Sequence, residues 1–165
     1  MPTDTDLFHL AATLGTKLLG AKLQLVTAES CTGGWIGKVL TDVAGSSAWY
    51  RGGAVVYSNE LKRSLLGVSA ETLASSGAVS EATAREMAVG ALTQLGGDVA
   101  VAVTGIAGPE GGSADKPVGT VWFGWALRGS MGLESSALVE IFQGDRESVR
   151  WQAVWRALSG VNERS

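Results

Sequence analysis

The segment Asp98-Val99-Ala100-Val101-Ala102-Val103 restricts the fold of this 165-residue chain more than any other. A strand with one wet face alternates apolar and polar side chains, but Val99 to Val103 carries no polar residue on either face. A run of that kind belongs in the middle of a sheet covered on both sides. Two covering layers must then come from helices elsewhere in the chain, which predicts a three-layer α/β architecture.

The remaining sequence alternates in the required way. Thr3 to Asp6 has the hydroxyl-x-x-acid form of a helix start, and apolar spacing carries that helix to about Leu19. Residues 23–28 read as a first strand, 34–42 as a short helix and 53–58 as a second strand. Ser58 or Asn59 caps a helical turn holding Lys62, Leu65 and Leu66 that Gly67 ends; a short helix over 70–75 follows. Ser80 caps a longer helix that runs to Leu95 and stops at Gly96-Gly97. After the central strand, 119–127 and 134–142 read as a hairpin turning at Gly129, Ser130 and Gly132, and Gly144-Asp145 opens a last helix. The expectation is one domain spanning 1–165, with five strands in a mixed sheet.

Composition removes several classes of function. Apolar residues make up 45 %, charged residues 18 %, and the net charge is −3, so the chain is globular and lacks the basic excess of a nucleic-acid binder. The N-terminal MPTDTDLFHL has acids where a signal peptide has cations, and no apolar stretch is long enough to span a bilayer. A cytoplasmic protein without a membrane partner is expected. The sequence has one Cys and one His, so a Cys/His zinc site within the chain is out of reach. His9 falls on the first amphipathic helix, away from any motif, which leaves no imidazole for a Ser-His-Asp triad.

Two loops leave strand ends with chemistry in them. In Glu29-Ser30-Cys31-Thr32-Gly33-Gly34, a strand breaks into a helix with two potential nucleophiles at the break. A helix starting at a glycine pair leaves N–H groups able to hold an anion or an oxyanion. The segment 104–118 carries glycines at 105, 108, 111 and 112 and prolines at 109 and 117, and is longer than an economical connection needs. It reads either as a binding loop or as a surface excursion. Gly105-x-x-Gly108 is not a dinucleotide fingerprint, and Gly37-Lys38 lacks the upstream glycine of a phosphate-binding loop.

Lys62 and Tyr57 follow the second strand. A lysine on a helix is ordinarily solvated, and a tyrosine at a strand end ordinarily packs. However, a partly desolvated lysine has a lowered pKa and can activate a serine hydroxyl without a histidine. Spacing alone does not bring Ser30 and Lys62 together. Cys31 stands as the rival nucleophile, and any of the six tryptophans is either core packing or a stacking partner for a ring.

The strings Ala28-Glu29-Ser30-Cys31-Thr32-Gly33-Gly34, Tyr57-Ser58-Asn59-Glu60 with Lys62, Gly77-Ala78-Val79-Ser80, Thr104-Gly105-Ile106-Ala107-Gly108-Pro109 and Lys116-Pro117-Val118-Gly119-Thr120-Val121 together resemble the CinA C-terminal domain family. The resemblance runs from about residue 5 to 160. The family's stand-alone members are nicotinamide-nucleotide amidases of the PncC type, so it implies a three-layer α/β/α sandwich around a mixed five-stranded sheet. It also implies hydrolysis of the carboxamide of nicotinamide mononucleotide to nicotinic acid mononucleotide and ammonia, in pyridine-nucleotide salvage, with no cofactor. The catalytic residues it implies are Ser30 and Lys62 as a dyad, assisted by Tyr57. Glu29, Cys31, Thr32, Gly33, Gly34, Thr104, Gly105, Gly108 and Arg146 are the candidate substrate-binding residues, among them the donors for the oxyanion and the phosphate. Family members form dimers or larger assemblies, so a homo-oligomer is expected. Two other readings stay open: a nucleotide-binding module without turnover, and an amidase for a different small amide.

Overall fold

Helix starts in this chain are closed by side chains. In the computed structural model, which describes residues 3–165, Thr3 and Asp6 form a reciprocal capping box at the start of helix α1 (Asp4–Ala21). Ser58, Ser69, Ser80 and Asp145 accept a backbone N–H at the starts of α3 (Asn59–Leu66), α4 (Ala70–Ser76), α5 (Glu81–Leu95) and α6 (Arg146–Arg164). Helix α2 (Trp35–Thr41) is the exception, with Gly34 at its cap position and no bond from that residue's side.

The strands are β1 (Leu25–Glu29), β2 (Tyr50–Val55), β3 (Val99–Gly105), β4 (Thr120–Gly129) and β5 (Gly132–Ile141), in the sheet order β2-β1-β3-β4-β5. β1 pairs in parallel with β2 and β3, whereas β3, β4 and β5 run antiparallel to one another, so the sheet is mixed. The alternation along β3 decides how the layers fit. Val99, Val101 and Val103 point into a core shared with α1, α2 and α6, where Leu14, Ile36 and Val154 meet them. Ala100 and Ala102 point the other way, under Met87, Ala88 and Ala91 of α5. Small residues on that side let α5 lie close to the sheet, and a Cβ added at Gly124 of β4 would come within 2.2 Å of the Ala84 carbonyl. The result is the three-layer α/β/α sandwich around a five-stranded sheet.

The second strand sits three residues earlier than its pattern suggests, over Tyr50–Val55 in place of 53–58. Gly52 lies before the expected strand, yet it is paired with Val26, and Gly53 is needed because a Cβ there would lie 2.0 Å from Thr27 Oγ1. After the Val56 N–H bonds the Glu29 carbonyl at 2.8 Å, the chain leaves the ladder. A short 3-10 turn at Ser46–Ala48 was not legible in the sequence. No helix among the described residues is long and apolar enough to cross a membrane.

Candidate active site

The three parallel strands end on the same side of the molecule. From β1 the chain crosses through α2 to β2 on one face, then through α3, α4 and α5 to β3 on the other, with β1 between them. That reversal opens a crevice at the carboxyl end of β1, where open α/β sheets gather ligands. A cavity of about 300 Å3 lies there. Of the expected site residues, Ser30, Cys31, Tyr57, Lys62, Thr104, Gly105, Gly108 and Arg146 line it.

Ser30 is the first residue beyond β1, and its N–H continues the ladder to the Val103 carbonyl at 3.0 Å. Its hydroxyl faces Lys62 Nζ at 3.0 Å. The Lys62 side chain is 1 % exposed, and its amine also donates to the carbonyls of Val56 at 3.0 Å and Tyr57 at 3.3 Å. Those carbonyls are free because β2 stops at Val55, so the early end of the strand supplies the lysine's cradle. Burial holds the Lys62 pKa below its ordinary value of 10.5. With two N–H groups directed to carbonyls, the third position on nitrogen lies along Ser30 Oγ. Once the amine is neutral, that position is a lone pair able to accept the serine proton.

Cys31 is a different kind of group. It is buried within the core beneath α6, and desolvation pushes its thiol up to about 12, so the thiolate is suppressed.

Four candidate binding residues lie outside this cavity. Glu29, 2 % exposed, accepts from Thr32 Oγ1 at 2.7 Å and from the N–H groups of Ile36 at 2.9 Å and Gly37 at 3.1 Å. The first N–H groups of α2, expected to be free for an anion, are therefore occupied by the protein's own carboxylate. Gly33 and Gly34, at φ +60° and +96°, make the turn that brings this about. They border a second cavity of about 470 Å3 together with Trp35 and Arg150.

Tyr57 is 63 % exposed, and its phenol accepts from Arg146 Nη2 at 3.3 Å; no bond joins it to Ser30 or Lys62 among the described residues. Its carbonyl, not its hydroxyl, touches the amine. Arg146 opens α6 and also donates to the Gly108 carbonyl at 2.7 Å, which anchors the 104–118 loop over the cavity. Thr104 Oγ1 donates to the Ala78 carbonyl at 2.8 Å, fastening the start of α5 to the same wall. Among the described residues, Tyr57 is the only aromatic one that lines the cavity, and none of the tryptophans does so. No group of three or more His, Cys, Asp or Glu side chains among the described residues could hold a metal ion.

Sequence reading missed Asn59 and Glu110 on the cavity wall, and above all Arg150. Arg150 Nε donates to the Cys31 carbonyl at 2.9 Å and Nη2 to the Thr32 carbonyl at 3.0 Å. Its spacing of four from Arg146 at the start of a helix puts both guanidinium groups on one face, and that signal was available.

The model of the CinA C-terminal domain family matches residues 7–164. Nicotinamide-nucleotide amidohydrolase PncC of Escherichia coli K12 is 52 % identical over 94 % of this chain and 93 % of its own length. The protein of the same name from Enterobacter agglomerans is 54 % identical over 92 % of this chain and 90 % of its own. A crystal structure of a competence-damaged protein (CinA) superfamily member from Escherichia coli superposes with a TM-score of 0.92 at 38 % identity, covering 100 % of this chain and 94 % of that one. The chain belongs to the CinA C-terminal domain family.

Proposed function

We propose that the chain is a nicotinamide-nucleotide amidohydrolase, converting nicotinamide mononucleotide and water to nicotinic acid mononucleotide and ammonia. The observation that carries the mechanism is the 3.0 Å contact between a buried lysine amine and a serine hydroxyl at the end of β1. Identity above 50 % to relatives named for this reaction supports the substrate.

In the proposed course, Ser30 Oγ bonds to the carboxamide carbon as its proton passes to Lys62 Nζ. The tetrahedral intermediate collapses, the C–N bond breaks, and the Lys62 ammonium returns the proton to the departing nitrogen. Water then attacks the ester by the same route in reverse, releasing the carboxylate and restoring Ser30. Tyr57 holds the amine through its carbonyl, and its phenol assists proton transfer to ammonia from the cavity wall. The Cys31 N–H, next to the nucleophile, is the proposed oxyanion donor. Arg146 and the 105–111 segment take the phosphate, because the Gly33-Gly34 turn faces elsewhere.

The chain is proposed to act as one domain in the cytoplasm, as a dimer or larger homo-oligomer, without a nucleic-acid partner or a cofactor. The surface proposed for a second copy is the edge strand β5, which leaves Leu133, Val139 and Ile141 exposed. Sedimentation velocity reads that assembly. For the reaction, the purified chain is incubated with nicotinamide mononucleotide, and ammonia and nicotinic acid mononucleotide are measured together. Equal amounts of both are expected. Ligand-induced thermal protection without either product would leave only a binding module.

A further inference from the structure

We infer that Arg150 is a positioning residue for the nucleophile, holding the turn after Ser30 from the side away from the catalytic cavity. The inference rests on the amidase reading above for its reaction, though not for its geometry. Arg150 does not line the catalytic cavity. Its guanidinium instead clamps two successive carbonyls, Cys31 and Thr32, at 2.9 and 3.0 Å. The Ser30 carbonyl is tied within the same turn by the Gly33 N–H at 3.1 Å. All three peptide planes that follow the nucleophile are thereby fixed.

In a trans peptide the N–H points opposite to the carbonyl, so fixing the carbonyls also fixes where the turn's N–H groups point. Arg150 holds the planes that carry the Thr32 and Gly33 N–H groups, and the Gly33 N–H in turn ties the Ser30 carbonyl, whose plane carries the Cys31 N–H. Cys31 lines the catalytic cavity and Thr32 does not, and the Cys31 N–H reaches no acceptor on another residue of the described chain. Donors held in this way are what an oxyanion requires, since they need no reorganisation during the reaction. The clamp is itself held from behind. The Arg150 guanidinium lies 5.3 Å from the centre of the Trp35 ring, and Gly33 leaves it room, because a Cβ there would lie 3.3 Å from Nη2. A lysine would have to serve both carbonyls from one nitrogen, whereas the guanidinium uses two nitrogens held in a rigid plane.

The test uses Arg150→Met, Arg150→Lys and Arg150→Ala in the full chain, with two readouts. The first is the split of kcat and KM for nicotinamide mononucleotide. The second is the rate at which a fluorophosphonate labels Ser30, which reports nucleophile alignment whatever the natural amide is. If the wild type is labelled but releases no ammonia, the substrate assignment fails while the positioning test still stands on the labelling rate. Loss of alignment of this order costs up to about 100-fold in rate. The expected result is a fall in kcat and in labelling of about 10- to 100-fold for Arg150→Met, with KM nearly unchanged and Arg150→Lys between it and wild type. Ethylguanidinium added to Arg150→Ala should restore part of both rates without affecting wild type. A folded Arg150→Met with wild-type kcat and labelling overturns the proposal. So does a loss confined to KM, or one that follows the unfolded fraction in all three variants and gains nothing from ethylguanidinium.

Discussion

Burial acts on the Lys62 amine by removing water from the charged form, which moves its pKa downward and makes the neutral amine available closer to neutral pH. If Lys62 is the base, the rate should climb with pH through that lowered pKa and level off below 10.5. Lys62→Arg should be inactive at every pH, because a guanidinium does not give up its proton. A pH–rate profile of both proteins checks this. The same shift has a consequence for stability. Between the lowered pKa and 10.5 the unfolded chain holds a proton that the folded chain does not, so folding stability contributed by this group rises with pH across that window. Urea titrations of wild type and Lys62→Met should therefore show the difference moving in favour of wild type as pH increases from neutral to alkaline. A difference independent of pH would mean that the Lys62 pKa is not perturbed by folding. At this scale the sequence exposed Ser30 and Lys62 through the absence of a histidine and the family motifs. It could not show the Tyr57 phenol turned to Arg146, since side-chain direction at a strand end depends on partners remote in sequence.

Among the elements, α2 depends on a group outside itself. It is short, begins at a glycine, and takes its cap from Glu29 at the end of β1. Glu29→Ala strands the buried Ile36 N–H, the part-buried Gly37 N–H and the buried Thr32 hydroxyl, a loss of about 3 kcal/mol by the cost of unsatisfied donors. Urea unfolding measures it, and a change below about 1 kcal/mol would show that water or another acceptor takes over the cap. Cap residues such as Thr3, Ser80 and Asp145, with the glycines that follow helix ends, were sufficient to locate most helices. They failed for the bounds of β2, because the pairing of Tyr50 and Gly52 with β1 depends on a neighbouring strand remote in sequence. They also failed to show that the anion held at α2 is Glu29, since pairing of a carboxylate with N–H groups seven and eight residues on needs the turn geometry itself.

For the molecule as a whole, the site is an agreement among distant segments. Arg146 joins the segment after β2, the loop after β3 and the start of α6 through Tyr57 and Gly108. Its removal should weaken nucleotide binding more than chemistry. Arg146→Ala is expected to raise KM by about 10- to 100-fold, the worth of charge-assisted bonds to a phosphate, and a fall in kcat alone would give it a different role. The three-layer order was legible from the central apolar strand and the alternation around it, whereas the spacing of Arg150 from Arg146 marks its helix face but not its partners, Cys31 and Thr32, which lie more than a hundred positions away. The central claim is that Ser30, activated by Lys62, carries the hydrolysis. Its most direct test is ammonia release from nicotinamide mononucleotide by wild type, Ser30→Ala, Lys62→Ala and Cys31→Ala under one set of conditions. The account predicts release by wild type and Cys31→Ala and none above background by the other two; undiminished release by Ser30→Ala contradicts it.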